Sequence, residues 1–335
     1  DFDSRMIRNT DNILKYAAFI ATLCREENLL PFDRSGAAKV IEFSSRLAEH
    51  QHKLSARFSD IADVLREASY WASQSAHSVV GGVDVQRAID EKIFRTNRIE
   101  ERLRDMILEG TLIVETSGEK VGQINGLAVL DLGDYRFGKP SRITARTYVG
   151  KAGVVNIERE TKMSGKIHEK AILIISNYLG SRYATRKPIS LTASITFEQL
   201  YDMVEGDSAS CAELYALLSS IARVPLKQSI AVTGSMDQNG DVQPVGGINE
   251  KIEGFFDLCR ITGLDGSHGV IIPARNVKNL MLKRDVVEAV KDGKFFIYSI
   301  QKADEGLELL TGMKVGEVAG DGTYPEGTIN DLVVK

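Results

Sequence analysis

Two short stretches of this 335-residue chain carry residue types that could perform covalent chemistry. The first is Glu205-Gly-Asp-Ser-Ala-Ser210-Cys-Ala, where acidic and small residues run directly into an amphipathic helix with Leu214, Leu217, Leu218 and Ile221 on one face. That order places Ser210 at the helix's first turn, where free backbone N–H groups and the positive end of the dipole meet. A serine there could attack a carbonyl while N–H groups hold the oxyanion, and the small Ala209 leaves room for the approach. The plainer reading makes Asp207 or Ser208 an N-cap and Ser210 merely a small first-turn residue. Taken alone, the plainer reading is favoured.

The second stretch is Gln243-Pro-Val-Gly-Gly-Ile-Asn-Glu-Lys251. Gly246-Gly247 allows a tight turn from strand to helix, so Lys251 falls early in a helix that continues with Ile252, Phe255, Phe256 and Leu258. A cation there opposes the dipole, and desolvation would depress its pKa further. Acting as a base near neutrality needs a drop of about three units from roughly 10.4, or about 4 kcal/mol. Without context, a solvated lysine beside Glu250 and Glu253 is the preferred assignment.

Other candidates are weaker. His50, His52, His77, His168 and His268 form no metal-ligand spacing, and His168-Glu169 lacks the second histidine of a zinc-peptidase helix, so no metal is expected. His77 and His168 remain conceivable general bases. No phosphate-cradling loop is present, since Gly138-Lys139 is followed by Pro140. Cys24, Cys211 and Cys259 are odd in number and widely spaced, which argues against a disulfide framework and for a reducing, cytoplasmic compartment.

The elements that must position these residues fall into two sets. The first 110 residues hold only four of the 29 glycines and one of the seven prolines. Few breakers mean long helices, and four are predicted: from Thr10-Asp-Asn12, from Arg34 or Ser35, from Ser59-Asp60, and from Asp84, the last continuing in charged form to about Leu108. The remainder alternates strands with helices. Strands are predicted at 121–130, 142–148, 153–158, 189–195, 229–234, 241–245, 268–272 and 294–300, with helices at 166–178, 210–222, 249–258 and 277–290. Asn239-Gly240 is a strong hairpin signal. The fold class is therefore α+β, an N-terminal all-α helical bundle followed by an α/β domain, with a Gly-rich, loosely held tail after Gly312. The apolar fraction of 43% supports sizeable cores, and no apolar run is long enough to span a membrane. The net charge of −4 gives no basic excess for nucleic acid. Asp1 is not a translation start, so a fragment of a longer protein is expected.

Together the motifs Gly122-Gln-Ile-Asn-Gly-Leu-Ala-Val129, Glu205-Gly-Asp-Ser-Ala-Ser210, Val232-Thr-Gly-Ser235 and Gly240-Asp-Val-Gln-Pro-Val-Gly-Gly-Ile-Asn-Glu-Lys251 resemble the protease domain of Lon, the ATP-dependent AAA+ protease. The Asp-Ser-Ala-Ser form resembles its B-type branch. The resemblance covers most of residues 111–312 and implies a Ser-Lys dyad, with the nucleophile at Ser210, the base at Lys251, a lysine-holding threonine at Thr233 and an acidic neighbour at Asp207. By that alignment Ser208 is not the nucleophile. Residues 1–110 resemble the small α-helical lid subdomain of an AAA+ module, with Asp1-Phe-Asp3 as its entering strand and Arg66 at the nucleotide-sensing position. The resemblance implies an endopeptidase acting on unfolded or tagged proteins within a homo-oligomeric ring, most simply a hexamer. It needs no cofactor for peptide hydrolysis, while ATP and Mg belong to a large ATPase subdomain outside this chain. Two rivals stay open. A non-catalytic assembly module would separate Ser210 from Lys251 or leave the lysine solvated, and a histidine-based hydrolase would bring His77 or His168 to Ser210.

Overall fold

The computed structural model describes residues 3–133, 135–184 and 191–335, and the chain divides into two compact units. Residues up to Arg102, joined by 132–135 and 278–282, form the first. Its strands β1 (Arg5–Ile7) and β2 (Lys53–Ser55) pair antiparallel, and α1 (Thr10–Glu26), α2 (Arg34–Leu47), α3 (Phe58–Gln74) and α4 (Gly82–Thr96) close over one core. Spacing explains the packing: Tyr16, Ile20 and Cys24 are the buried stripe of α1, and Ile61, Val64, Leu65, Ala68 and Ala72 that of α3. Asn9 rather than Thr10 caps α1, accepting from Asn12 N–H, and Asp33 caps α2 through Gly36 N–H. The continuous helix expected up to Leu108 is interrupted. Asn97 ends α4, and α5 (Arg98–Leu108) starts afresh, so the division between units falls inside α5 rather than at Gly110. The expected entering strand includes Asp1 and Phe2, which lie outside the described residues, as do Ile189 and Ser190 of another predicted strand.

The second unit is built on a seven-stranded mixed sheet in the order β13-β12-β9-β4-β5-β7-β6. In chain order its elements begin with β3 (Glu119–Val121), β4 (Gln123–Asp131), β5 (Arg136–Val149) and β6 (Gly153–Asn156). Then come α6 (Ile157–Glu160), α7 (Lys166–Tyr183), β7 (Leu191–Phe197), α8 (Ser210–Ala222), β8 (Pro225–Lys227) and β9 (Ile230–Val232). After these follow β10 (Ser235–Met236), β11 (Val242–Gln243), α9 (Ile248–Thr262), β12 (His268–Pro273), α10 (Arg284–Lys291), β13 (Phe295–Ile300), α11 (Ala303–Thr311) and α12 (Ile329–Val334). The predicted helix over 277–290 is in fact a 3₁₀ turn, Ala274–Asn279, and the shorter α10. The Asn239-Gly240 turn forms as expected, but it joins β10 to β11 instead of using the preceding β9.

Helices α8 and α9 both pack on β4 and β5. Every residue of α8 from Ser210 to Ser219 is buried, as is most of α9. The tail is not loose. Val315 and Ile329 join the same core as Leu214 and Leu218, Asn330 N–H donates to the Val315 carbonyl, and Tyr183 donates to Asn330 Oδ1 at 2.6 Å. Buried apolar positions outweigh the tail's glycines, which serve its turns. Among the described residues no helix is long and apolar enough to cross a membrane.

Candidate active site

The loop before α8 is fixed by the strand end after β9. Gly234 N–H donates to the Ser208 carbonyl at 2.8 Å, and Cys211 N–H donates back to the Gly234 carbonyl at 3.1 Å. Thr233 Oγ1 also reaches the Ser208 carbonyl, at 3.2 Å. These contacts hold Ser208 just ahead of the helix, where its side chain leaves the chain unencumbered by helical packing.

Lys251 arrives from α9. Gly247 turns the chain into this helix with φ +63°, and a Cβ there would stand 2.6 Å from Val129 Cγ2. Val129 is paired with Gly138 across β4 and β5, and a Cβ on Gly138 would lie 2.0 Å from the Glu250 carbonyl oxygen and 2.9 Å from Lys251 Cα. Missing side-chain atoms on the sheet therefore set how deep the lysine sits. Its Nζ lies 2.9 Å from Ser208 Oγ and 3.2 Å from Thr233 Oγ1.

Lys251 is only 3% exposed. Burial pushes its pKa down from the ordinary 10.5 to about 8, against the opposing pull of Asp207 and Glu250. Asp207 is itself held by Ser235 Oγ, 2.7 Å from its Oδ2. At that value a useful fraction of the amine is neutral near physiological pH.

Lys251, Thr233 and Asp207 are thus gathered at one place, but the serine facing the lysine is Ser208. The Ser210 hydroxyl donates to the Asp207 carbonyl at 2.5 Å and is 1% exposed. The physical reason is helical geometry. In the first turn of α8 a serine hydroxyl folds back onto the carbonyl three residues earlier, whereas a residue ahead of the helix projects freely. The signal for Ser208 was available only as a choice between two serines flanking Ala209, and residue type and helix position alone do not tell which of them faces the lysine.

Among the described residues the side chains of His77 and His168 are engaged by partners other than these serines. His77 Nδ1 pairs with Asp84 within the helical unit. His168 Nε2 meets Glu213 Oε1 at 2.9 Å, and its Nδ1 meets Ser164 Oγ at 2.9 Å. Arg66 in α3 is engaged by Glu27 through two 2.7 Å contacts and by Asp63. Its guanidinium is thus held by two carboxylates of its own unit. No group of side chains suited to a metal ion occurs among the described residues.

Comparison with known proteins gives a consistent result. The family model described as Archaeal LonB, AAA+ ATPase LID domain, matches residues 31–95, and that of the Lon protease (S16) C-terminal proteolytic domain matches residues 203–312. A putative Lon protease homolog of Escherichia coli (strain K12) is 43% identical over 249 residues, covering 74% of this chain and 42% of that protein. One from Haemophilus influenzae is 35% identical over 322 residues, covering 96% and 53%. The archaeal Lon protease of Pyrococcus abyssi is 28% identical over 303 residues, covering 89% and 28%. The chain spans about half the length, or less, of these relatives.

Proposed function

Since the chain belongs to the Lon protease family, with an AAA+ lid unit ahead of the family's proteolytic domain, we propose that it is a serine–lysine endopeptidase with Ser208 as nucleophile and Lys251 as general base. The observation that carries this reading is the 2.9 Å contact between Lys251 Nζ and Ser208 Oγ, made by a lysine whose burial favours its neutral form.

Neutral Lys251 takes the hydroxyl proton as Ser208 Oγ attacks the peptide carbonyl carbon, giving a tetrahedral oxyanion. Its collapse breaks the C–N bond, with the lysine returning its proton to the leaving amine and an acyl ester remaining on Ser208. Water, deprotonated by the same amine, then hydrolyses the ester. The N–H groups of Ser208 and Ala209 make no backbone hydrogen bond among the described residues, so both are free to receive the oxyanion. Thr233 steadies the amine, and Asp207 keeps a compensating negative charge nearby.

Peptide hydrolysis so written uses no cofactor. The proposal extends to unfolded or tagged proteins as substrates and to a homo-oligomeric ring, hexameric in its simplest form. ATP and Mg would act through an ATPase core outside this chain, so no ATP hydrolysis is expected here, and Arg66 would serve only as a sensor beside it. Three buried free cysteines fit a reducing, cytoplasmic setting.

The test is covalent labelling by a fluorophosphonate. Ser208→Ala should abolish labelling, whereas Ser210→Ala should retain it at matched circular dichroism. Labelling that survives Ser208→Ala and is lost in Ser210→Ala would return the nucleophile's role to Ser210.

A further inference from the structure

The buried pair of His168 and Glu213 has no part in the chemistry just described. Both side chains are wholly shielded from solvent, and Glu213 Oε2 finds no partner among the described residues. Burying an ion pair is a poor source of net stability, because desolvation offsets most of the attraction. What such a pair does supply is fixed geometry, and here its two ends belong to the two segments that flank Ser208.

Glu213 stands in the first turns of α8, immediately downstream of Ser208. On the other side of the imidazole, Ser164 belongs to the segment paired with the residues just upstream. Gly165 N–H donates to the Val204 carbonyl at 2.9 Å, and Val204 N–H to the Met163 carbonyl at 2.8 Å. Glu205 lies against the same segment, since a Cβ on Gly165 would meet its Oε1 at 2.0 Å. The route from Glu213 through His168 and Ser164 to Val204 therefore closes a loop around Glu205-Gly-Asp-Ser208. Phe197 meets the ring edge-on at 5.6 Å between centroids, which helps fix its plane. Imidazole suits this task because it can bond both partners in either protonation state: Nδ1 donates to Ser164 when charged and accepts from it when neutral.

We propose that His168 is a positioning residue, tying the segment that leads into Ser208 to the helix that leaves it. The proposal rests on Ser208 as the nucleophile, and it predicts loss of rate rather than loss of affinity. A displacement of Ser208 Oγ by about 1 Å is enough to lower a reaction rate by up to about a hundredfold.

The experiment measures fluorophosphonate labelling and amide hydrogen exchange in parallel for wild type, His168→Gln, Ser164→Ala, their double variant and Ser208→Ala. Both single variants should lower kinact by about tenfold with KI unchanged. The double variant should be no slower than His168→Gln, because one bridge is cut twice. Exchange at residues 203–209 should quicken while the middle of α8 stays protected. Wild-type kinact in Ser164→Ala, or effects that multiply in the double variant, would overturn the bridge. Should His168→Gln fail to fold, the half-buried Ser164→Ala decides alone. Labelling retained in Ser208→Ala would remove the nucleophile reading, and the exchange data, which require no activity, would still judge the bridge: unchanged exchange at 203–209 defeats it.

Discussion

Gly254 and Gly138 meet backbone to backbone, so closely that a Cβ on Gly254 would stand 2.2 Å from the Gly138 carbonyl oxygen. Gly138 is likewise pressed against the backbone of Glu250 and Lys251, so α9 and β5 touch backbone to backbone at this point. Neither obstacle is the end of a flexible side chain, so neither can swing away. Gly138→Ala or Gly254→Ala should lift α9 and carry Lys251 Nζ off Ser208. We expect a stability loss of about 1–3 kcal/mol by overpacking and a fall in labelling rate of about tenfold or more. Urea melts beside labelling kinetics check this; an unchanged labelling rate in both variants would refute it.

The pH dependence follows from the depressed lysine. The neutral amine is the competent form, so labelling should rise with pH through about 8 and be lost as Lys251 protonates below it. Lys251→Arg should match Lys251→Ala in inactivity, because a guanidinium keeps its proton. A profile centred near roughly 6.5 would instead point to a histidine.

The same shift bears on stability, with the opposite sign from the usual salt-bridged lysine. Folding lowers this pKa from 10.5 to about 8, so below about 8 the folded state carries a buried charge at full penalty. Between those two values the unfolded chain binds more protons, and stability from this group increases as pH rises. Lys251→Met should therefore be inactive yet more stable at pH 7, by at most about 3 kcal/mol. Thermal melts at pH 7 and pH 10 check the sign: the gain should shrink at the higher pH.

Thr233→Val removes one of the two oxygens facing the amine, together with a bond to the Ser208 carbonyl. Its effect on labelling should be about tenfold, smaller than that of Lys251→Ala, with the apparent pKa still depressed. A loss equal to that of Lys251→Ala would mean that Thr233 does more than hold the lysine.

Truncation after Gly312 should destabilise the second unit. Val315 and Ile329 alone bury side chains worth about 3–6 kcal/mol together. A melting temperature unaffected by the truncation would contradict this docking.

Much of this arrangement was legible because it is periodic or local. The stripe of α8, the Asn239-Gly240 turn and the Gly246-Gly247 entry into α9 follow from spacing and backbone freedom. Spacing also places Lys251 early in α9, where its Nζ meets Thr233 Oγ1 from the neighbouring strand end. What stayed hidden depends on three-dimensional contact. Ser208 and Ser210 differ only in whether the hydroxyl faces its own helix or the lysine, a choice settled by Gly234 gripping the Ser208 carbonyl. His168 reads as an isolated histidine until α7 and α8 are packed together, because Glu213 is far away in sequence. Gly138 gives no sign of its importance until α9 lies across it. The tail misleads for a related reason, since its glycines dominate composition while two buried aliphatic side chains decide where it sits.

The docking of α12 on α8 also sets an order of events during synthesis. Helix α8 emerges from the ribosome well before the segment that covers it, and in the interval its apolar flank has no lid. A nascent chain can thus hold both Ser208 and Lys251 and still lack the packing that steadies them. Completion of the candidate site therefore waits on residues that take no part in it, and chain order sets when Ser208 and Lys251 are held in place.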